Sequence, residues 1–144
     1  MTALPRSAVT LSSILVLAAL TACSSRHYFA IYREAIAENQ GNLQQLELGM
    51  TAATVRSILG EGEIVRYKKI YLVDPWRSES FFLVDGTDVL LLFYVTQPPR
   101  KFYRAEDRDL TPIVLEHDKV VGWGWSYLRR NYERYRFSVP REQL

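Results

Sequence analysis

The sequence predicts an α+β sandwich, helices first and antiparallel strands after, and three observations carry that reading. Apolar residues recur with helical spacing over the thirty residues that follow Arg26. From Glu63 onward the pattern changes to runs rich in β-branched and aromatic residues, separated by turn residues. The strand-like runs follow the helices as a group, and that order, helices first and strands after, indicates antiparallel strands.

The first helix rests on Tyr28, Ile31, Tyr32, Ala35 and Ile36, which follow the i, i+3, i+4, i+7, i+8 spacing of one buried face, with Gly41 as its expected stop. A second helix begins at Thr51, an N-cap residue, buries Val55, Ile58 and Leu59, and ends before Gly60. Thr54 stands where a capping box would place Glu or Gln, so only half of that motif is present.

The strand region opens with Glu63 to Val73, read as one strand. Ile64, Arg66, Lys68 and Ile70 lie on one side of it, Val65, Tyr67, Lys69 and Tyr71 on the other, and Asp74-Pro75 closes it. Ser80 to Val84 and Thr87 to Thr96 flank Asp85-Gly86, a pair that readily supplies the positive φ of a tight turn, so they form a hairpin. Val89 to Val95 is apolar throughout and is expected to be covered on both faces. Thr111 to Trp125 forms another hairpin turning near His117 and Asp118. In it Trp123 and Trp125 share one face with Val121, and Gly122 and Gly124 lie on the other.

Ahead of the domain, residues 1–22 have the layout of a secretory signal peptide: one early charge at Arg6, an uncharged stretch from Ala8 to Leu20, then small residues. That apolar run is short for a membrane span, which takes about 20 residues. Removing Arg6 from the 18 basic residues leaves 17 against 16 acidic ones, so nucleic acid is not an implied partner.

Leu20, Thr21, Ala22 and the only cysteine, Cys23, resemble the lipobox of bacterial lipoproteins. The resemblance implies that Cys23 is diacylated, the leader cleaved and a third chain added. Three chains hold a protein in a bilayer, because each buried CH₂ contributes about 0.8 kcal/mol. Ser24 stands where lipoproteins of this type retained in the inner membrane carry Asp, which points to the outer membrane. Residues 23–27 are then a lipidated tether and 28–144 a single domain. The expected localisation is the outer membrane, lipid-anchored and facing the periplasm, with membrane lipid as the first partner through acylated Cys23.

A second resemblance lies in Leu46, Gly49, Met50, Thr51, Val55, Leu59 and Gly60, which are similar to the opening motif of the SmpA/OmlA (BamE-like) domain of outer-membrane lipoproteins. The match is specific over residues 46–62 and extends in element order to about residue 126, after which the chain looks like a separate branch. It implies two helices packed on an antiparallel sheet of three to five strands, and a role beside an outer-membrane or periplasmic protein in envelope or barrel assembly.

Catalysis is not expected. His27 and His117 are the only histidines, Glu116, His117 and Asp118 occupy a hairpin tip, and an acylated Cys23 is no nucleophile. No metal-ligand spacing or phosphate loop appears, so no cofactor beyond the covalent lipid is implied. The candidate binding residues are Arg100, Lys101, Phe102, Tyr103 and Arg104 in the long segment Gln97 to Pro112, together with Trp123 and Trp125. Two readings of function stand: a non-catalytic binding or structural module of the envelope, or a tethered module for a small ligand or inhibitor. A deep aromatic cavity at the tryptophans favours the second.

Overall fold

A computed structural model describes residues 26–101 and 104–137. The leader, Leu20, Thr21, Ala22 and Cys23 lie outside the described residues, as do Phe102, Tyr103 and the final seven positions. The fold is α+β with two antiparallel sheets.

Helix α1 covers residues 26–42 and a single 3₁₀ turn, Leu43–Gln45, follows it. The helix therefore continues through Gly41, one residue beyond its expected stop. Tyr32 and Ile36 are buried, as the spacing predicts. Helix α2 spans Ala52–Leu59; the Thr51 hydroxyl accepts from Thr54 N at 3.2 Å, and Gly60 closes the helix at φ +95°. Asn42 Nδ2 ties the two helices together by donating to the Ile58 carbonyl at 2.9 Å.

The expected single strand from Glu63 to Val73 is instead a hairpin, β1 (Gly62–Tyr67) and β2 (Ile70–Asp74), paired on its own. The chain reverses at Lys68 and Lys69, with Lys68 at φ +53°. Val65, Ile70 and Leu72 are its buried apolar residues. Val65 and Ile70 are five positions apart, an odd separation that one strand cannot place on one face. A register shift between Glu63 and Val65 leaves Ile64 exposed.

The larger sheet has the order β3-β4-β5-β6, from β3 (Arg77–Phe82), β4 (Asp88–Val95), β5 (Leu110–Glu116) and β6 (Lys119–Trp123). The β3-β4 hairpin turns through Asp85 and Gly86 as expected; only Gly86 takes positive φ, and Asp85 Oδ1 accepts from Thr87 N at 2.9 Å. At the β5-β6 tip His117 and Asp118 both have positive φ, the signature of a two-residue type I′ turn.

Strand β4 is covered on both faces. Val89, Leu91, Phe93 and Val95 join Tyr32, Ile36, Val65, Ile70 and Leu72 in one core cluster. Leu92 and Tyr94, on the alternate face, join Leu46, Val55, Leu59, Ile113 and Leu115 in a second. The sheet thus separates a core containing α1 residues and the β1-β2 hairpin from one containing α2 residues.

The chain ends in two short helices, α3 (Trp125–Arg130) and α4 (Tyr132–Tyr135). Tyr127 lies over Gly122, and the Tyr135 hydroxyl donates to Glu116 at 2.8 Å. The C-terminal tyrosines Tyr127 and Tyr135 therefore pack on the sheet, while Tyr132 is half exposed.

Candidate functional site

The two tryptophans do not share a face. Strand β6 is bulged between Val120 and Gly122, because Val114 pairs with Gly122 but Leu115 with Val120; Val121 is the extra residue. The bulge resets the alternation, so Trp123, paired with Ile113, packs on the α2-side core. Gly124, at φ +82°, then ends the strand, and Trp125 opens α3 inside the opposite core. Nor are the glycines a bare face: Gly122 is buried beneath the Tyr127 ring.

Around this break lies an open groove of about 450 Å³, lined among others by Gln97, Arg108, Leu110, Thr111, Trp123 and Trp125. The indole N–H of the buried tryptophan in its wall is already occupied. The indole N–H of Trp125 donates to the carbonyls of Asp107 and Leu110 at 3.0 and 2.8 Å, and the ring is 6% exposed. Trp123 is only partly buried, so it offers an indole edge to the groove rather than an enclosing wall. The deep aromatic cavity that would favour a small-ligand site is not what these residues form.

Of the other candidates, Arg100, Lys101 and Arg104 are exposed, and Arg104 N donates to Lys101 O at 2.9 Å across an isolated bridge. None of the three lines the tryptophan groove. Phe102 and Tyr103 lie outside the described residues. The segment expected to run as a loop to Pro112 is shorter than that: a 3₁₀ turn at Asp107–Asp109 is closed by a capping box between Glu106 and Asp109, and β5 begins at Leu110.

The residues of the Leu46–Gly60 motif perform a structural task. Leu46, Val55 and Leu59 are buried together. Gly49, at φ +85°, lets its N–H donate to Val120 O at 2.8 Å, and Val120 N donates back to Met50 O at 2.8 Å, so the approach to α2 is pinned along the outer edge of β6. Asp118 Oδ1 adds a bond from Ala52 N at 3.0 Å at the helix start.

The consecutive Glu116, His117 and Asp118 are dispersed to separate partners. Glu116 accepts both Nε and Nη2 of Arg134 at 2.8 Å and the Tyr135 hydroxyl, and the Arg134 bonds hold its carboxyl below the usual range. His117 Nδ1 lies 2.6 Å from Asp88, and Asp118 serves α2. Among the described residues no group of three His, Cys, Asp or Glu side chains is placed to hold a metal ion.

The feature that sequence reasoning missed is a buried polar clasp. Asn39 Nδ2 donates to both oxygens of Asp74, at 3.1 and 3.0 Å, and approaches Val95 O at 3.4 Å. Both residues are 3% exposed. Burial pushes the Asp74 carboxyl up to about 6, against the opposing amide bond from Asn39 and with a further rise from the Glu38 charge. Burial likewise pushes the Tyr32 hydroxyl up to about 12, helped by the charges of Asp109 and Asp74, and raises that of Tyr94. One signal was available: Asn39 follows Tyr32 and Ile36 on the core-facing stripe of α1, where an amide requires a partner.

No curated protein and no solved structure matches the chain. Residues 19–130 match the sequence profile described as "Protein of unknown function (DUF3192)", which covers most of the chain. The chain thus belongs to the DUF3192 family.

Proposed function

We propose that this protein is a lipid-anchored, non-catalytic binding or structural module of the bacterial outer membrane, facing the periplasm and held there through acylated Cys23. The observation that carries the proposal is Leu20-Thr21-Ala22-Cys23 directly after an uncharged apolar run, with the family match beginning at residue 19 and so taking in the whole tetrapeptide. A BamE-like arrangement, two N-terminal helices packed on an antiparallel sheet, fits the burial of Tyr32, Ile36, Val55 and Leu59 against strand residues. A partner in envelope or barrel assembly follows from that likeness, which is one of fold and motif; one fold hosts many roles.

The open form of the tryptophan groove, with its indole N–H already bonded within the domain, favours this reading over a tethered small-ligand module. Two measurements test it. Metabolic labelling with a fatty-acid probe should mark the wild-type chain and spare Cys23→Ser; a Cys23→Ser form that still partitions fully with outer membranes would sink the anchor. Crosslinking in intact cells should then capture one envelope protein reproducibly, and recovery of the chain without such a partner would count against the assembly role.

A further inference from the structure

The start of α1 is tied to the tip of the small hairpin. Tyr28 stacks on Tyr67, ring centroids 4.3 Å apart and planes within 2°. Tyr67 is the last residue of β1, so this contact places the Lys68-Lys69 turn beside the end of the helix that leads back to Cys23. The Lys68 ammonium lies 5.1 Å from the Tyr67 ring centroid, and both lysines are exposed. Arg66 pairs with Glu63 along the hairpin, its Nε 2.5 Å from the carboxylate, while exposed Lys68 and Lys69 form the turn and exposed Arg26 and His27 begin the adjoining helix.

Chain length then limits where this basic end can be. From Cys23 to Arg26 there are three residue steps, which span at most about 11 Å even when fully extended. Headgroup layers are about 5–8 Å deep on each side of the hydrocarbon. A domain tethered that closely cannot hold the start of α1 away from the bilayer, and the side that approaches is the one carrying the cations. Basic residues beside half-buried tyrosines suit such a boundary, with the charges on headgroup phosphates and the amphipathic rings at their level.

The geometry points to the Lys68-Lys69 turn, together with Arg26 and the Tyr28-Tyr67 stack, as the face through which the domain rests on the anionic headgroups of its own membrane. This inference depends on the lipid-anchor reading and adds an orientation to it.

The test uses the full-length, naturally processed chain in vesicles of phosphatidylethanolamine and phosphatidylglycerol carrying brominated lipid. Cys23 is the only cysteine, and acylation consumes its thiol, so Lys69→Cys or Ala53→Cys accepts a single fluorophore. Ala53 is exposed on α2, the helix of the opposite core. Bromolipid should quench the label at residue 69 several-fold more than the label at residue 53. Adding Lys68→Gln should weaken the contact about fivefold, the worth of one basic residue near an anionic surface. Equal quenching at the two positions, or none at residue 69, in an acylated chain would overturn the orientation alone. A free, reactive Cys23 thiol in the wild-type chain would overturn the anchor and the orientation with it.

Discussion

Asn39 and Asp74 clasp helix α1 to the end of β2: one amide nitrogen donates to both carboxylate oxygens, and neither residue meets solvent appreciably. A buried carboxylate with a neutral amide partner carries a desolvation cost that the amide offsets only in part. The pKa of Asp74, raised from 3.8 to about 6, expresses that cost.

The sign of the pH effect follows. A carboxyl that binds its proton more tightly when folded gives stability that is fully present below the unfolded pKa of 3.8 and is lost as pH rises through about 6. The shift corresponds to about 3 kcal/mol at neutral pH. Asp74→Asn removes the charge and keeps the shape, so it should raise the unfolding midpoint at pH 7.5, and the gain should vanish below pH 4. A variant that melts lower than the parent at neutral pH would show that the ionised form is the better partner for Asn39.

Gly122 is required by a close approach rather than by backbone conformation. A Cβ there would sit 2.3 Å from the Tyr127 ring. Gly122→Ala should therefore destabilise by about 1–3 kcal/mol, the range for overpacking a tight core. In Gly122→Ala/Tyr127→Leu the clash is relieved, and denaturant titration of the single and double variants should show strong non-additivity. Additive losses would mean that Tyr127 does not press on this strand.

The two tryptophans should respond unequally to truncation. Trp125 is 6% exposed and donates two hydrogen bonds, so Trp125→Ala should cost about 3–5 kcal/mol. Trp123 is partly buried at the margin of the other core, and its loss should cost clearly less. Chemical denaturation of both variants provides the comparison. If Trp123→Ala proves the more damaging, the division of the two rings between opposite cores is wrong.

Thr51 caps α2 through its hydroxyl, and Thr51→Ala should lower stability by about 1 kcal/mol. Thr51→Ser keeps the oxygen and should recover most of the loss. An unchanged thermal midpoint in the alanine variant would remove the cap from the list of forces that fix this helix.

Local chemistry made several elements legible from sequence. The cap and C-terminal glycine of α2, the Asp85-Gly86 turn, the two-residue turn at His117 and Asp118 and the two-faced burial of β4 each depend on residues close together in the chain, so composition and spacing suffice to place them.

Tertiary structure decided the rest. Nothing in Lys68-Lys69 marks a reversal, since neither residue is a usual turn former; packing Val65, Ile70 and Leu72 into one core is what stabilises Lys68 at positive φ. Trp123 and Trp125 are two apart and would share a face in an unbroken strand. The Val121 bulge and the Gly124 break, which the Tyr127 and Ile113 contacts reward, send them to opposite cores. The Asn39-Asp74 clasp joins residues 35 positions apart. A polar residue's burial depends on a partner that only the assembled chain brings within reach, and for that reason one-dimensional spacing located the helix but not the bond that holds it.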